Sequence, residues 1–76
     1  MLMTDLISEH EFVEVGNLRD SQGRYEEAIA AYDKALKIVP EDADALFDKG
    51  ETLEKMGRLE EAQKFYTFAL SLYNGH

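Results

Sequence analysis

The residues best able to do chemistry in this 76-residue chain are its carboxylates. Sixteen Asp and Glu residues outnumber eight Lys and Arg residues, which gives a formal net charge of −8 at pH 7. The spacing of Asp42, Asp44 and Asp48 is similar to the start of a calcium-binding loop. Such a loop needs Gly at its sixth position and a bidentate Glu at its twelfth. Phe47 and Leu53 stand there instead, so we predict no calcium site.

Other kinds of reactive site lack their residues as well. The chain has no cysteine, and its two histidines, His10 and His76, stand at opposite ends without the i, i+4 spacing of a zinc site. The serines belong to no nucleophile motif, and the isolated glycines form no phosphate-binding loop. The sequence therefore predicts no catalytic residue, no metal ion and no cofactor, and we expect a protein that is not an enzyme.

The charge balance restricts the partners. Nucleic acids and anionic membranes attract basic proteins, so neither is an expected partner of a chain with a net charge of −8. No apolar run reaches the roughly 18 residues of a membrane span. The first residues also lack the basic region and long apolar stretch of a signal peptide. A cytoplasmic location is the prediction from these features.

An internal repeat organises the chain. A shift of 34 positions, which places Gly23 on Gly57, aligns residues 23–36 with residues 57–70. Eight of the fourteen aligned pairs are identical, including Gly-Arg, Glu-Glu-Ala and Ala-Leu. Ordinary residue usage gives about one match in such a window. We therefore divide the chain into an extension, 1–8, and two copies, 9–42 and 43–76.

Each copy is predicted to form two helices. Ser8 and Glu11 have the capping-box spacing that begins a helix over 9–22, and Ile7 could pack on Phe12 across that cap. Gly23 ends this helix, and Pro40 ends a second that begins near residue 25. By the same signals a third helix spans 43–56 and a fourth spans 59–73. The predicted fold class is all-α, with two antiparallel helix-turn-helix hairpins.

These residues resemble the tetratricopeptide repeat (TPR), whose period is 34 residues. The small residues expected where paired helices cross, the tyrosines beside them and the proline after the second helix carry the resemblance. They are Gly16, Ala28, Tyr32, Pro40, Gly50, Ala62 and Tyr66. The resemblance implies that the hairpins stack as a short right-handed solenoid. It also implies a looser core at Arg19 and Lys49, because the family usually has an aromatic residue and a leucine there.

The resemblance also implies a ligand surface. In this family the first helix of each repeat lines a concave groove that grips a peptide or a partner helix. The matching positions are His10, Val13, Glu14, Asn17, Asp20, Ser21, Asp44, Phe47, Asp48, Glu51, Glu54 and Lys55. Six of these twelve residues are acidic, so a basic or amphipathic segment of another protein is the expected ligand, with Val13 and Phe47 as apolar contacts. The alternative is a solvated face that binds nothing.

The last helix has an unusual number of apolar residues. Those on which self-association could rest are Phe65, Phe68, Leu70, Leu72 and Tyr73. A helix that is apolar on more than one face is generally buried on more than one face. We therefore expect a homo-oligomer, with a symmetric dimer as the usual closed form. The alternative is that Phe65 and Phe68 fold under Tyr73 and cover the end of their own hairpin.

Overall fold

The computed structural model of this chain describes residues 8–74. Within that range the fold consists of four α-helices and no strands: α1 (Glu9–Ser21), α2 (Tyr25–Ile38), α3 (Ala43–Lys55) and α4 (Leu59–Tyr73). The predicted all-α class is confirmed. The predicted contact of Ile7 with Phe12 lies outside the described residues. Among residues 8–74, no helix has both the length and the apolar character needed to cross a bilayer.

The starts of α1 and α3 are fixed by side-chain caps. The Ser8 hydroxyl accepts a hydrogen bond from the Glu11 backbone N–H at 3.2 Å, and the Ser8 N–H donates to the Glu11 carboxylate at 3.0 Å. Before α3, Asp42 accepts from the backbone N–H groups of Asp44 and Ala45 at 3.0 and 3.2 Å. Both caps satisfy donors that the first turn of a helix leaves without partners, so they set where the helices begin.

The turn inside each hairpin is built the same way twice. Gly23 and Gly57 adopt φ values of 76° and 81°, a left-handed conformation that glycine adopts without a steric penalty. The Gly23 N–H donates to the Asp20 carbonyl at 3.0 Å, and the N–H of Arg24 donates to the carbonyl of Arg19 at 2.9 Å. This pair of bonds is the Schellman motif, which ends α1 and turns the chain back into α2.

The helices of each hairpin meet where a tyrosine ring lies on a glycine. A Cβ atom added to Gly50 would lie 2.8 Å from the ring of Tyr66 and 3.3 Å from the carbonyl oxygen of Ala62. At Gly16 the nearest atoms belong to the Tyr32 ring. The sequence predicted the two tyrosines beside these crossings. The structure places each ring directly against the glycine, because only glycine leaves room for a ring there.

The hydrophobic core runs through both repeats. Its central cluster consists of Val13, Ala28, Tyr32, Ala35 and Ala45, with Phe12 and Leu36 packed against it. Ala45 begins the second hairpin and the other members belong to the first. The cluster therefore joins α1, α2 and α3 into one body, as expected for stacked repeats that bury their faces against each other.

Lys49 and Arg19, where a looser core was expected, both form ion pairs between helices. The Lys49 ammonium lies 2.6 Å from the Asp33 carboxylate and 4.4 Å from the centre of the Phe65 ring, and its side chain is only 16% exposed. The Arg19 guanidinium lies 3.3 Å from Glu27. Each long side chain buries its apolar stem while its charged end meets a carboxylate. Both residues therefore connect helices.

Candidate functional site

The first helices of the two hairpins are joined by a polar contact. Asp20 of α1 accepts a hydrogen bond from the Thr52 hydroxyl at 2.7 Å and another from the Lys55 ammonium at 2.5 Å. Thr52 is completely buried, so its hydroxyl has no access to water as an alternative partner. This contact holds α1 beside α3, the two helices that carry the predicted groove residues.

Asp20 and Lys55 neutralise each other at this junction. The hydrogen bond to Asp20 raises the pKa of Lys55, because the carboxylate favours the charged ammonium. The structure thus pairs one of the six acids predicted for the groove with the only lysine predicted there. Of the other five, Glu14 lies beside His10 and the remaining four lie on α3. We call Asp44, Asp48, Glu51 and Glu54 the acidic face.

Asp48 is the electrostatic centre of the acidic face. Burial, and then the negative charges of Glu51, Asp44, Asp42 and Asp20, raise its pKa to about 6. Burial is the larger cause of this shift, and the four carboxylates add a negative potential at Asp48. A cation placed beside Asp48 would be attracted, whereas an anion would be repelled.

Three tyrosine hydroxyls hold the polar residues around this face. The Tyr66 hydroxyl donates to Glu54 at 2.6 Å, and the Tyr73 hydroxyl donates to Asp44 at 2.5 Å. That bond to Asp44 is the main reason that the pKa of Tyr73 rises to about 12. Burial, followed by the bond to Glu54, raises the pKa of Tyr66. Both tyrosines therefore stay protonated and orient the carboxylates along α3.

The third tyrosine acts below the surface. The Tyr32 hydroxyl donates to the side-chain oxygen of Asn17 at 2.6 Å, and its pKa is raised by burial and then by the charges of Asp48 and Asp20. Asn17 was predicted to line the groove. In the structure its side-chain oxygen accepts this bond from α2 of the same hairpin. Sequence analysis missed all three tyrosine bonds. The only sequence feature that pointed to these bonds was the equivalence of Tyr32 and Tyr66 in the repeat. Their hydroxyls bond to residues that are not equivalent.

The other predicted groove residues are distributed as follows. Val13 is 7% exposed and belongs to the core, so its side chain offers little surface to a ligand, contrary to the role expected for it. Phe47 is half-buried, with its ring centre 5.1 Å from that of Tyr66. His10 lies 3.2 Å from Glu14 on the exposed side of α1, and the Ser21 hydroxyl donates to the carbonyl of Leu18 at 2.7 Å.

The described residues offer no cluster suited to metal chemistry. Across residues 8–74, no group of three or more His, Asp or Glu side chains is arranged to hold a metal ion. A surface depression of about 370 Å³ lies at the α3–α4 turn, away from the acidic face, and is lined by residues 57–61. All of its lining comes from one short segment, so it brings together no groups from different helices.

Comparisons with known proteins identify the repeat. A family model described as TPR repeat matches residues 16–57, and another, described as tetratricopeptide repeat, matches residues 43–76. The chain is also similar to the TPR repeat-containing thioredoxin TTL4 of Arabidopsis thaliana, with 35% identity over 60 residues. The alignment covers 79% of this chain and 9% of that relative. The chain therefore spans about a tenth of the length of the protein it matches.

Proposed function

The chain belongs to the tetratricopeptide-repeat family, and from this we propose that it is a protein–protein interaction module that binds a basic or amphipathic segment of another protein on its acidic face. Repeats of this family generally mediate protein–protein interaction, and the family is typically non-catalytic. We propose a non-catalytic role for this chain as well. A cytoplasmic location remains our prediction from the sequence.

The environment of Asp48 is the observation that supports a basic ligand. Burial is the main cause of its pKa of about 6, and four neighbouring carboxylates raise the pKa further. A lysine or arginine side chain placed there would stabilise the ionised form of Asp48 and relieve repulsion among its neighbours. The same field would attract a basic segment during its approach and raise the association rate at low salt.

An apolar contact favours a ligand that is amphipathic as well as basic. The Phe47 ring is half-buried beside Tyr66, one residue before Asp48. A partly exposed aromatic ring next to charged groups is the kind of residue that supplies most of the affinity at a protein interface. Since Val13 is in the core, we assign this role to Phe47 alone.

The experiment is a titration of fluorescently labelled peptides followed by anisotropy. A peptide that alternates lysine and leucine at helical spacing is compared with the same peptide in which glutamate replaces lysine. We expect only the lysine peptide to bind, with an affinity that falls as salt rises. The double variant Asp48→Lys, Glu51→Lys should lose at least tenfold in affinity.

A matched control tests whether the position of the charge matters. Glu60→Lys, Glu61→Lys makes the same charge change at the start of α4, outside the acidic face, and should retain most of the affinity. Equal binding of both peptides, or equal losses in the two double variants, would contradict a ligand site at Asp48. Circular dichroism of each variant would establish that the helices are retained.

The second candidate function is a structural one, in which copies of the chain associate through α4. The observation in its favour is that Leu70 and Tyr73, which share one face of this helix, are 54% and 52% exposed. Large apolar side chains exposed close together mark interaction surfaces. A scaffold formed by self-association would not need the acidic face, so the peptide titration and a mass measurement separate the two functions.

A further inference from the structure

Helix α4 carries two apolar faces that point in different directions. Because a helix completes a turn every 3.6 residues, side chains spaced by three, four, seven or eleven positions share a face. The first face comprises Phe65, Phe68 and Leu72. The second, here named the α4 outer face, comprises the exposed residues Leu59, Leu70 and Tyr73. Phe68 and Leu70 differ by about 200° around the helix axis, so no single flat partner covers both faces.

The residues of the α4 outer face lie 34 positions after residues of α2. In α2 the second repeat packs over this face. Leu36 is half-buried against the core cluster that includes Ala45 of α3, whereas Leu70, its equivalent 34 positions later, is 54% exposed. Tyr25 is half-buried, and its equivalent Leu59 is 62% exposed. The face that is covered in the first repeat is therefore uncovered in the second.

One face of α3 packs against the first repeat and covers α2. The residues 34 positions earlier form the equivalent face of α1. Ala45 and Thr52 are fully buried against the first repeat, and Lys49 between them bonds to Asp33. The residues 34 positions earlier are Glu11, Val15 and Leu18. Val15 is 42% and Leu18 is 52% exposed. We call these two apolar residues the α1 outer face. The molecule thus exposes both halves of its own internal junction.

The two outer faces are chemically compatible. At the internal junction Lys49 pairs with Asp33, and the equivalent residues at an end-to-end junction are Val15 and Thr67. Similarly, the bond from Thr52 to Asp20 would become a contact of Leu18 with Glu54. Polar bonds are replaced by apolar or mixed contacts, and neither position brings two like charges together. At the third position Glu11, whose carboxylate accepts a hydrogen bond from the Ser8 N–H, takes the place of Ala45.

We propose that copies of this chain stack end to end, with the α1 outer face of one copy seated on the α4 outer face of the next. We choose a second copy as the partner because α2 and α3 already form such a contact inside the molecule. The two exposed faces are the repeat equivalents of the two faces that meet there. The contact joins two different surfaces, so each added copy leaves the same two faces free at the ends. The product is an open stack, in place of the closed dimer that the sequence suggested. The proposal does not require the acidic face to bind a peptide.

Sedimentation velocity over a wide protein concentration range tests this geometry. The average mass of the wild type should rise beyond two chain masses, and more so at high salt, because the net charge of −8 opposes association. Leu18→Glu, which places a carboxylate against Glu54, and Leu70→Glu should each remain at one chain mass. An equimolar mixture should reach, and not exceed, two chain masses, because each variant keeps the face that the other lacks.

Several results would overturn the proposal. In a symmetric contact between α4 helices, Leu18→Glu would behave as the wild type, and mixing would not rescue Leu70→Glu. A wild type that stays at one chain mass at every concentration would mean that a different protein, or another segment of this chain, covers these faces. Added overall repulsion is tested separately, by a glutamate placed on the other face of α4.

Two further measurements keep the test clear of folding effects. Phe68→Glu adds the same charge on the other face of α4 and should assemble as the wild type does; its failure would contradict the assignment of faces. Val15→Glu gives a second α1 variant if Leu18→Glu loses its helical circular dichroism. Monomeric Leu18→Glu should still bind the lysine peptide, so failure of stacking and failure of peptide binding remain distinguishable.

Discussion

The ammonium of Lys49 lies 2.6 Å from the carboxylate of Asp33 and 4.4 Å from the centre of the Phe65 ring. Lys49 belongs to α3, Asp33 to α2 and Phe65 to α4, so one side chain connects three helices and both repeats. An ammonium over an aromatic face is attracted by the ring quadrupole while its protons remain available to the carboxylate. Lys49 therefore combines an ion pair with packing.

Substitution of Lys49 should separate these two contributions. Asp33 is 48% exposed and can be hydrated when the ammonium is removed, so Lys49→Leu should change the free energy of unfolding by less than about 1 kcal/mol. Lys49→Glu should destabilise by about 1–2 kcal/mol, because it places two carboxylates together. Urea unfolding measures both, with Lys64→Glu on α4 as an exposed control. A larger loss for Lys49→Leu than for Lys49→Glu would contradict this account.

Alanine at the two helix crossings should have unequal effects. Gly16→Ala pushes a Cβ into the ring of Tyr32, which is 1% exposed and has little room to move. We expect a loss of about 1–3 kcal/mol in unfolding free energy, although alanine favours helix by about 1 kcal/mol. Gly50→Ala should lose less, because the ring of Tyr66 is only half-buried and can shift.

A double-mutant cycle checks that the cause is the ring. Combining Gly16→Ala with Tyr32→Leu should give a smaller total loss than the sum of the single losses, since the leucine leaves space for the new methyl group. Strict additivity would point to the helix backbone as the cause. Thermal unfolding followed by circular dichroism provides the four values.

Thr52 should contribute through its hydroxyl. Thr52→Val keeps the shape of a completely buried side chain and removes the donor to Asp20, which retains its bond to Lys55. The expected loss is about 1 kcal/mol, the usual net value of one hydrogen bond. Thr52→Ser, which keeps the donor, isolates the methyl group as a control. If Thr52→Val were as stable as the wild type when Asp20 is intact, the bond would contribute nothing to stability.

The course of the chain follows from local signals in the sequence. The Ser8 cap, the positive-φ Gly23 and Gly57, and the Asp42 cap act within a few residues of where they stand, so the helix ends could be predicted closely. The 34-residue repeat then indicated which helices pair. The helix ends and the helix pairing can both be read from one sequence, because the first depends on near neighbours and the second on internal repetition.

The candidate site was only partly predictable, because its bonds join residues that are far apart in the sequence. The bonds from Thr52 to Asp20 and from Tyr73 to Asp44 join residues 32 and 29 positions apart, and no short spacing encodes them. The repeat was even misleading, since Tyr32 bonds to Asn17 while its equivalent Tyr66 bonds to Glu54. Which carboxylates remain free for a ligand depends on these long-range partners.

The pH dependence of stability should reveal the state of Asp48. Its folded pKa of about 6 lies above the usual value of 3.8, so the native state holds this proton more tightly than the unfolded chain. Stability then falls as pH rises from about 4 to about 6, and the loss is complete above that range. Because the group is only half-buried, we expect the change to be about 1 kcal/mol after solvent screening.

Asp48→Asn should remove this loss. The variant cannot ionise, so it should be more stable than the wild type at pH 7 by about 1 kcal/mol and nearly equal to it at pH 4. Urea unfolding at half-unit pH steps measures the difference, and subtracting the two curves cancels the other carboxylates, such as Glu61, whose pKa is lowered by Arg58. A difference that does not change between pH 4 and pH 7 would mean that Asp48 titrates normally. The same substitution should weaken binding of the lysine peptide at pH 7 while it stabilises the fold, because it removes a partly buried charge from the free protein and a negative charge that a basic ligand would meet.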